Sequence, residues 1–322
     1  MPSLLSVVKA FVTGIMGVIA VSGALAQTPM SKSGTPGWYR MHLGAFEVTA
    51  LSDGTLDLPV DKVFTKVDPG RIRSLLSRSY LSNNVSITVN AFLVNTGTRL
   101  VLIDTGTGTS QMFGSTLGNM LSNLQASGYS AEQVEEIYVT HMHTDHIGGL
   151  MRDGQPSFPN ATIRANAREA DHYLSKSRMD AAPADEREDY ESAMSIFKPY
   201  IASKKFMPFN GETELIPGVR AMPAPGHTSG HTIYVIESNG ERMLIWGDLM
   251  HVAALQFPLP SATFPTEWSA KHSAQQRRTV FADVANHGYY AAAAHVAFPG
   301  IGKLRATGDG YTWVPISYIF GK

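Results

Sequence analysis

Residues 140–146, THMHTDH, place four side chains of metal-binding type within six residues: His141, His143, Asp145 and His146. Neighbours on a helix recur at three and four residues, so this His-x-His-x-Asp-His spacing does not follow one helical face. It predicts a strand that runs into a tight loop, from which the side chains spread around more than one ion. Three imidazoles and a carboxylate suit zinc or another borderline divalent metal. The alternative is a histidine-rich surface loop. Ligand-type residues elsewhere in the chain distinguish the two.

The first 26 of the 322 residues have the pattern of an export signal. Lys9 is their only charged side chain, residues 10–21 are apolar, and Ala24-Leu25-Ala26 is a cleavage site of the A-x-A type. A membrane-spanning helix needs roughly 20 apolar residues. We therefore expect cleavage after Ala26 and a soluble, periplasmic or secreted mature protein, with an uncleaved anchor as the alternative.

The bulk composition restricts the remaining function classes. The net charge is −1 and no block of Lys or Arg stands out, which argues against a nucleic-acid partner. The chain has no cysteine, so disulfides are excluded and any metal must be held by nitrogen and oxygen. Residues 27–322 are long for one domain but fit a large unit with a substantial core. Because they contain no repeat and no low-complexity linker, we predict a single catalytic domain over 27–322.

Apolar alternation and turn residues predict strands in both halves of the chain. The predicted strands are 38–58, 85–94, 100–103, 137–139, 161–165, 220–222, 232–237 and 243–246. A helix is predicted at 116–126 from its apolar spacing, and another at 270–286 between Ser269 as N-cap and Gly288 as stop. The charged segment 171–191 predicts solvated helix or a cap over the site. Strand clusters that alternate with helices favour an α+β fold, an αββα sandwich of two mixed sheets flanked by helices.

Three further residues of ligand type stand where an apolar strand gives way to a loop. His227 lies in PGHTSGH, Asp248 follows Trp246-Gly247, and His295 lies in AAAHVA. Rigid scaffolds present functional side chains at such positions. Singly these signals are weak, because a histidine in an apolar strand is more often a hydrogen-bonded core residue. In sequence with residues 140–146, the order HxHxDH, GH, GD, AH is a strong joint signal for a metal site.

This motif series resembles the metallo-β-lactamase-fold hydrolase superfamily, and the full set matches its dinuclear members. The resemblance implies one metal held by His141, His143 and His227, a second held by Asp145, His146 and His295, and Asp248 as the bridge between both. We expect two zinc ions, although manganese, cobalt and iron accept the same ligands. The di-iron redox branch of the superfamily has a Glu-type pattern. Asp248 in its place implies hydrolysis rather than oxygen chemistry. The β-lactamases themselves usually lack this bridging Asp, which argues against antibiotic hydrolysis.

Three stretches outside the ligand motifs resemble the methyl parathion hydrolase group: 44–62, 113–118 and 298–315. That group is exported, dinuclear and related to lactonases and aryl esterases. Homodimers are common in it, so the resemblance also raises a homodimer as an expectation.

Seven ligands for two ions leave open positions for a water and a substrate oxygen, as in a catalytic site. The pKa of a metal-bound water can fall from about 15.7 to about 7, so no Ser or Cys nucleophile is needed. We predict attack by a metal-bridging hydroxide on a carbonyl or phosphoryl centre, with Asp145 and Asp248 as the catalytic carboxylates. Asp145 is also expected to take up a proton as the leaving oxygen departs.

Aromatic residues are the candidates for a wall that holds a small hydrophobic substrate. They are Phe113 and Tyr173, which match pocket positions of the resembled group, and Phe257, Phe264 and Trp268, which follow Asp248 in a proline-rich segment. Core or dimer packing is the alternative. Thr140, Thr228 and His231 are candidates to orient the ligand imidazoles, whereas His251 is assigned to the core or the surface.

The sequence thus predicts a dinuclear metal-dependent hydrolase of lactones or aryl esters, with organophosphate triesters as a side activity. One alternative is a phosphotriester hydrolase of the methyl parathion type. Another, from a different class, is a non-catalytic module that only holds metal.

Overall fold

The computed structural model describes residues 30, 34–110, 112, 114–184 and 186–318. The chain divides into two units, Met1–Thr35 and Pro36–Lys322, and every helix and strand named below belongs to the second. The export signal predicted at 1–26 and the pocket residue Phe113 lie outside the described residues. Among the described residues, no helix combines the length and the apolar character that crossing a membrane requires.

Strands and helices alternate along the second unit. Its strands are β1 (Trp38–Leu43), β2 (Phe46–Pro59), β3 (Asn84–Asn95), β4 (Leu100–Ile103), β5 (Glu136–Tyr138), β6 (Met151–Arg152), β7 (Gln155–Pro156), β8 (Thr162–Arg164), β9 (Thr213–Ile216), β10 (Val219–Pro223), β11 (Thr232–Ser238), β12 (Glu241–Ile245), β13 (Tyr290–Ala292), β14 (Ile301–Thr307) and β15 (Gly310–Pro315). Its described α-helices are α1 (Val60–Val63), α2 (Pro69–Ser77), α3 (Met120–Ala126), α4 (Thr144–Ile147), α5 (Ala167–Tyr173), α6 (Lys176–Ala181), α7 (Arg187–Ala202), α8 (Ala253–Gln256) and α9 (Ala270–His287).

The strands form two large mixed sheets and a small ribbon of β6 and β7. The order is β1-β2-β3-β4-β5-β8 in the first sheet and β15-β14-β13-β12-β11-β10-β9 in the second. Most neighbours are antiparallel, but β4, β5 and β8 run parallel in the first sheet, as do β12 and β13 in the second. Parallel strands end at the same edge of their sheet. The loops after β4 and β5 therefore leave the first sheet together, and those after β12 and β13 leave the second together.

Three apolar layers hold this sandwich together. Between the sheets, Phe92 of the first packs in one cluster with Tyr234 of the second. Phe197 of α7 lies in the cluster on the outer face of the first sheet, and Phe281 of α9 lies in the cluster on the outer face of the second. All four side chains are buried, and each contributes roughly 1.5–3 kcal/mol by leaving water. The predicted αββα sandwich of the α+β class is confirmed.

The predicted C-terminal helix is confirmed as α9. The Ser269 side chain accepts from the backbone of the first turn, and Gly288 adopts a left-handed φ of 67° at the end. A left-handed C-terminal residue is a common helix stop because glycine has no Cβ penalty there.

The helix predicted at 116–126 begins only at Met120. The buried carboxylate of Asp53 accepts the backbone N–H groups of Gly118 and Met120, and the Asp53 carbonyl accepts that of Asn119. These tertiary hydrogen bonds hold residues 116–119 in a turn. The charged segment 171–191 forms the end of α5, all of α6 and the start of α7.

Candidate metal centre

Two groups of ligand-type side chains converge where the two sheets present their parallel-strand loops. The first group is His141, His143, His227 and Asp248, and the second is Asp145, His146, Asp248 and His295. Within each group the candidate ligand atoms all lie within 4.8 Å of one another. The structure therefore brings together all seven residues to which the sequence assigns metal binding, and Asp248 belongs to both groups.

Strand ends position these side chains. The segment that follows β5 carries His141 and His143, and Asp145 and His146 lie in the single turn of α4. The sequence predicts only a loop here, so this helical turn is an addition. His227 follows β10, Asp248 follows β12 and His295 follows β13. β13 ends at Ala292 and His295 lies in the loop beyond it, which agrees with the expected position where an apolar strand gives way to a loop.

The first group turns its imidazole nitrogens towards one another. His143 Nδ1 lies 3.1 Å from His141 Nε2 and 3.0 Å from His227 Nε2. Asp248 Oδ2 lies 3.3 Å from His227 Nε2 and 3.7 Å from His141 Nε2. Burial lowers the pKa of His141 and His227 well below the ordinary value, so both rings are neutral near pH 7. Neutral imidazoles that face inward offer lone pairs, which is the state that binds a metal.

In the second group, hydrogen bonds fix the tautomers. His146 Nδ1 donates to Asp104 Oδ2 at 2.8 Å, and His295 Nδ1 donates to the Thr88 carbonyl at 2.8 Å. In a neutral ring the opposite nitrogen then carries a lone pair. Both Nε2 atoms lie 3.0 Å from Asp248 Oδ1.

These contacts need positive charge between the atoms, which protonated imidazoles or a bound cation can supply. Within the described part of the chain, His146 Nε2 and Asp248 Oδ1 have no hydrogen-bond partner, although both are buried. Burial disfavours a charged imidazole, but Asp248, Asp145 and Asp104 together raise the pKa of His146 well above its ordinary value. A buried set of carboxylates and imidazole lone pairs therefore favours positive charge, and nitrogen and oxygen donors of this kind fit a divalent ion.

Neighbouring groups hold the ligands in place. Asp104 accepts the N–H and the hydroxyl of Thr140, and the Thr140 hydroxyl lies 3.1 Å from His141 Nδ1. His231 Nε2 accepts the backbone N–H of Asp248 at 3.0 Å. The Thr228 hydroxyl donates to Glu169 and, among the described residues, makes no hydrogen bond to a candidate ligand imidazole. Thr140 and His231 thus lie where the sequence expects them to support the ligands, and Thr228 acts one residue further away.

His251 lies at the centre, contrary to its assignment to the core or surface. Its Nε2 donates to Asp248 Oδ2 at 2.9 Å, and its ring stacks on His295 with centroids 5.1 Å apart. On the other side it packs against Phe264, with centroids 4.2 Å apart. Its position three residues after Asp248 is the available sequence signal, because the short helical turn at Gly247–Leu249 returns the chain towards the carboxylate.

The candidate pocket residues separate into three environments. Tyr173 is buried with its hydroxyl 2.9 Å from His143 Nε2, and Phe264 packs between His251 and Phe64. Trp268 is 52% exposed and stacks on His272. Phe257 does not line a pocket near the ligands but lies in the core.

Phe257 is 2% exposed and stacks on Trp313 at 5.4 Å. It also packs against Trp246 and Phe281. Aromatic packing of this kind stabilises a core through large buried areas. The assignment of Phe257 to the substrate wall is therefore replaced by a core role beneath α9.

A buried ion pair supports the loop that carries Asp248. Arg277 donates to the carbonyls of Leu249, Pro260 and Ala262, which ties this loop to the segment before Phe264. Its remaining contact with Glu267 Oε1 is long, 3.4 Å, and among the described residues Glu267 Oε2 has no hydrogen-bond partner. Three carbonyls thus solvate the guanidinium. The carboxyl is poorly compensated, and burial raises the pKa of Glu267 to about 7.

We expect the buried Glu267 carboxyl to lower the free energy of unfolding as the pH rises from 4.5 to 7. The folded protein keeps the Glu267 proton up to about pH 7, whereas the unfolded chain releases it near the ordinary value of 4.5. Over that window the folded state binds more protons, so the free energy of unfolding falls by up to about 1.4 kcal/mol per pH unit. Urea unfolding of wild type and Glu267→Gln between pH 4.5 and 8 measures this, and the difference between them should change across the window. Parallel curves would contradict it.

Comparison with known proteins identifies relatives along most of the chain. A model of the metallo-beta-lactamase superfamily matches residues 87–265. The hydrolase AbOPH in the beta lactamase superfamily is 33% identical with a TM-score of 0.84, over 89% of this chain and 100% of that one. AidC, a dizinc quorum-quenching lactonase in complex with the product N-hexanoyl-L-homoserine, is 26% identical with a TM-score of 0.80, over 88% and 98%.

A curated relative is a probable metallo-hydrolase of Mycobacterium bovis, 25% identical over 209 residues. The match covers 58% of this chain and 64% of that relative, so it leaves about a third of the relative unmatched.

Proposed function

Because this chain belongs to the metallo-β-lactamase superfamily, we propose that it is a dinuclear metal-dependent hydrolase that acts on lactones or aryl esters. One observation carries the proposal. The two oxygens of Asp248 face different ligand groups, Oδ1 towards His146 and His295 and Oδ2 towards His227 and His141. A carboxylate shared in this way suits a pair of ions about 3.5–4 Å apart.

In this proposal His141, His143 and His227 hold one ion, Asp145, His146 and His295 hold the other, and Asp248 binds both. Zinc suits these nitrogen and oxygen donors, and a dizinc lactonase is among the relatives. When bound, such ions polarise the oxygen of an ester carbonyl and lower the pKa of a water. Seven protein ligands leave positions open for both, which a purely structural site would not need.

We assign proton transfer to the Asp145 carboxylate. Its side chain is 11% exposed, whereas that of Asp248 is 3% exposed and is engaged by both groups. Although burial opposes it, His146 holds the pKa of Asp145 at about 2. Asp145 is therefore ionised near pH 7, the state in which a carboxylate can accept a proton and pass it to a departing alkoxide or phenoxide oxygen.

The surroundings of Phe264 favour a hydrophobic substrate. Its ring lies between His251, which contacts Asp248, and Phe64 of the segment after α1. Val60, Leu75 and Leu255 are buried and pack behind this ring, whereas Phe264 itself is only partly buried. An acyl chain or an aryl ring that covers the exposed part of the Phe264 ring gains about 25 cal/mol per Å² of apolar surface that leaves water. This supports an uncharged ester or lactone with an apolar tail.

Steady-state kcat/KM of the metal-loaded protein on a lactone, an aryl ester and a dialkyl aryl phosphotriester with matched apolar groups tests the proposal. We expect the lactone or the ester to exceed the phosphotriester by a hundredfold or more, about 2.7 kcal/mol of transition-state stabilisation. The chelated protein gives the background rate.

The reverse preference would identify a phosphotriester hydrolase. Metal binding at full stoichiometry without turnover of any of the three would favour a module that only holds metal. Either result would overturn the assignment to lactones and aryl esters.

A further inference from the structure

We propose that Glu169 is a positioning residue that holds the two loops of the first ligand group at the spacing an ion requires, an inference that rests on the proposed metal centre. Glu169 lies in α5 and is fully buried. It is not among the ligand-type residues of either group. Three observations support this role: the hydrogen bonds of the Glu169 carboxylate, the close packing of Gly230 against it, and the contact of Tyr173, also in α5, with His143.

The two oxygens of Glu169 bind different loops. Oε2 accepts the N–H of Met142 at 3.0 Å, and Met142 lies between His141 and His143. Oε1 accepts the Thr228 hydroxyl at 2.6 Å and the Gly230 N–H at 2.7 Å, on the loop that carries His227. One carboxylate therefore fixes the backbone on both sides of the first group. Burial raises the pKa of Glu169, and the three donors oppose this because they favour the ionised form.

Gly230 packs so closely against Glu169 that a larger side chain does not fit at this position. A Cβ on Gly230 would meet the backbone nitrogen of Glu169 at 2.7 Å and Oε1 at 2.8 Å. A real Cβ essentially never lies that close to another heavy atom, so only glycine brings its N–H this close. The position of the loop that carries His227 is thus set by direct contact with α5.

The same helix also contacts a ligand ring. Tyr173 lies four residues after Glu169, which places both on one face of α5. The Nδ1 atom of His143 faces His141 and His227, and its Nε2 lies 2.9 Å from the Tyr173 hydroxyl, within hydrogen-bond distance. α5 therefore holds the backbone beside His143 through Glu169 and the ring itself through Tyr173.

The second group depends on other supports. His146 is held by Asp104 and His295 by the Thr88 carbonyl, and neither contact involves α5. Loss of the Glu169 carboxylate should therefore weaken one ion selectively. A loss of general stability would weaken both.

Titration of the full chain with Co²⁺ alone, followed by its visible absorption, tests this without any substrate. The effect of Glu169→Gln is measured in two backgrounds: His295→Ala, which leaves the first group intact, and His227→Ala, which leaves the second. Support for ligand orientation typically changes metal affinity by roughly 10–100-fold. We expect Glu169→Gln to weaken Co²⁺ binding by that factor and to alter the absorption bands in the His295→Ala background, and to have little effect in the His227→Ala background.

Two further variants keep the result interpretable. Val284→Ala opens a cavity under α9, away from the ligand loops, and should lower stability without changing the Co²⁺ spectrum. If Glu169→Gln fails to fold, Thr228→Val removes one of the three hydrogen bonds at nearly constant volume. It should give a smaller loss of affinity with the same selectivity.

The outcomes separate this inference from the proposed function. If the wild-type chain binds no Co²⁺, the proposed metal centre and the role of Glu169 both fail. If the wild type binds two ions and the Glu169 variant binds them equally well, or loses affinity equally in both backgrounds, only the role of Glu169 is overturned.

Discussion

Replacing Asp248 with alanine is expected to lower kcat/KM by at least about 10³-fold and to abolish stoichiometric metal binding. Asp248 is the one carboxylate that both ligand groups share, and it is 2% exposed. Its loss removes a ligand from each ion and leaves the Nε2 atoms of His146 and His295 without the anion they face at 3.0 Å. A divalent ion contributes several kcal/mol of transition-state stabilisation, and about 4 kcal/mol corresponds to this loss of rate.

Metal analysis of the purified variant, together with kcat/KM on its best substrate, measures the effect. Glu267→Gln is the matched control, because it also removes a buried carboxylate but one that belongs to neither ligand group. We expect the control to keep its metal and its activity. An Asp248→Ala protein that retained two ions and normal turnover would show that the bridging assignment is wrong.

Removal of the metal with a chelator is expected to abolish activity and to lower Tm by roughly 10 °C. An ion present at a thousand times its Kd stabilises the folded state by about 4 kcal/mol, and each kcal/mol shifts the Tm of a domain this large by about 2–4 °C. The apoprotein keeps the buried charges of Asp145 and Asp248 among imidazoles whose lone pairs face them. Without a cation, these uncompensated buried charges lower the free energy of unfolding.

Thermal unfolding followed by circular dichroism, with and without chelator, gives the shift, and added Zn²⁺ should restore the original Tm. Asp248→Ala should respond little to the chelator, whereas Glu267→Gln should respond like the wild type. A chelator-induced drop of the same size in Asp248→Ala would place the stabilising ion elsewhere in the protein.

The architecture follows from local patterns of sequence to a large extent. Alternation and turn residues are short-range signals, and they predict β4 at its observed bounds and α9 to within one residue. The start of α3 is different, because the distant carboxylate of Asp53 accepts the N–H groups of Gly118 and Met120 and holds the preceding residues in a turn. Strands β14 and β15 are not predicted, although β15 pairs with β14 in a tight hairpin that closes at Thr307 and Gly310.

The candidate ligand set is predictable because its residues stand at strand exits, or in the short turn α4 that follows β5, and share their chemistry. The supports of the ligands are not. Glu169 contacts a loop that is distant in sequence, and His251 reaches Asp248 through a turn. Neither residue belongs to a recognisable sequence motif. Phe257 shows the opposite error, since an aromatic residue near Asp248 in sequence enters the core instead.

Each ligand group draws side chains from distant parts of the chain, and this sets the order of events during synthesis. The first group is complete in sequence only when Asp248 has been made, and the second must wait for His295. Until then a nascent chain offers an ion only the short segment from His141 to His146, without the partners that bury it. We therefore expect binding of native affinity only after His295 has been made. A molecule that held an ion in each of the two groups would thereby join loops of its two sheets.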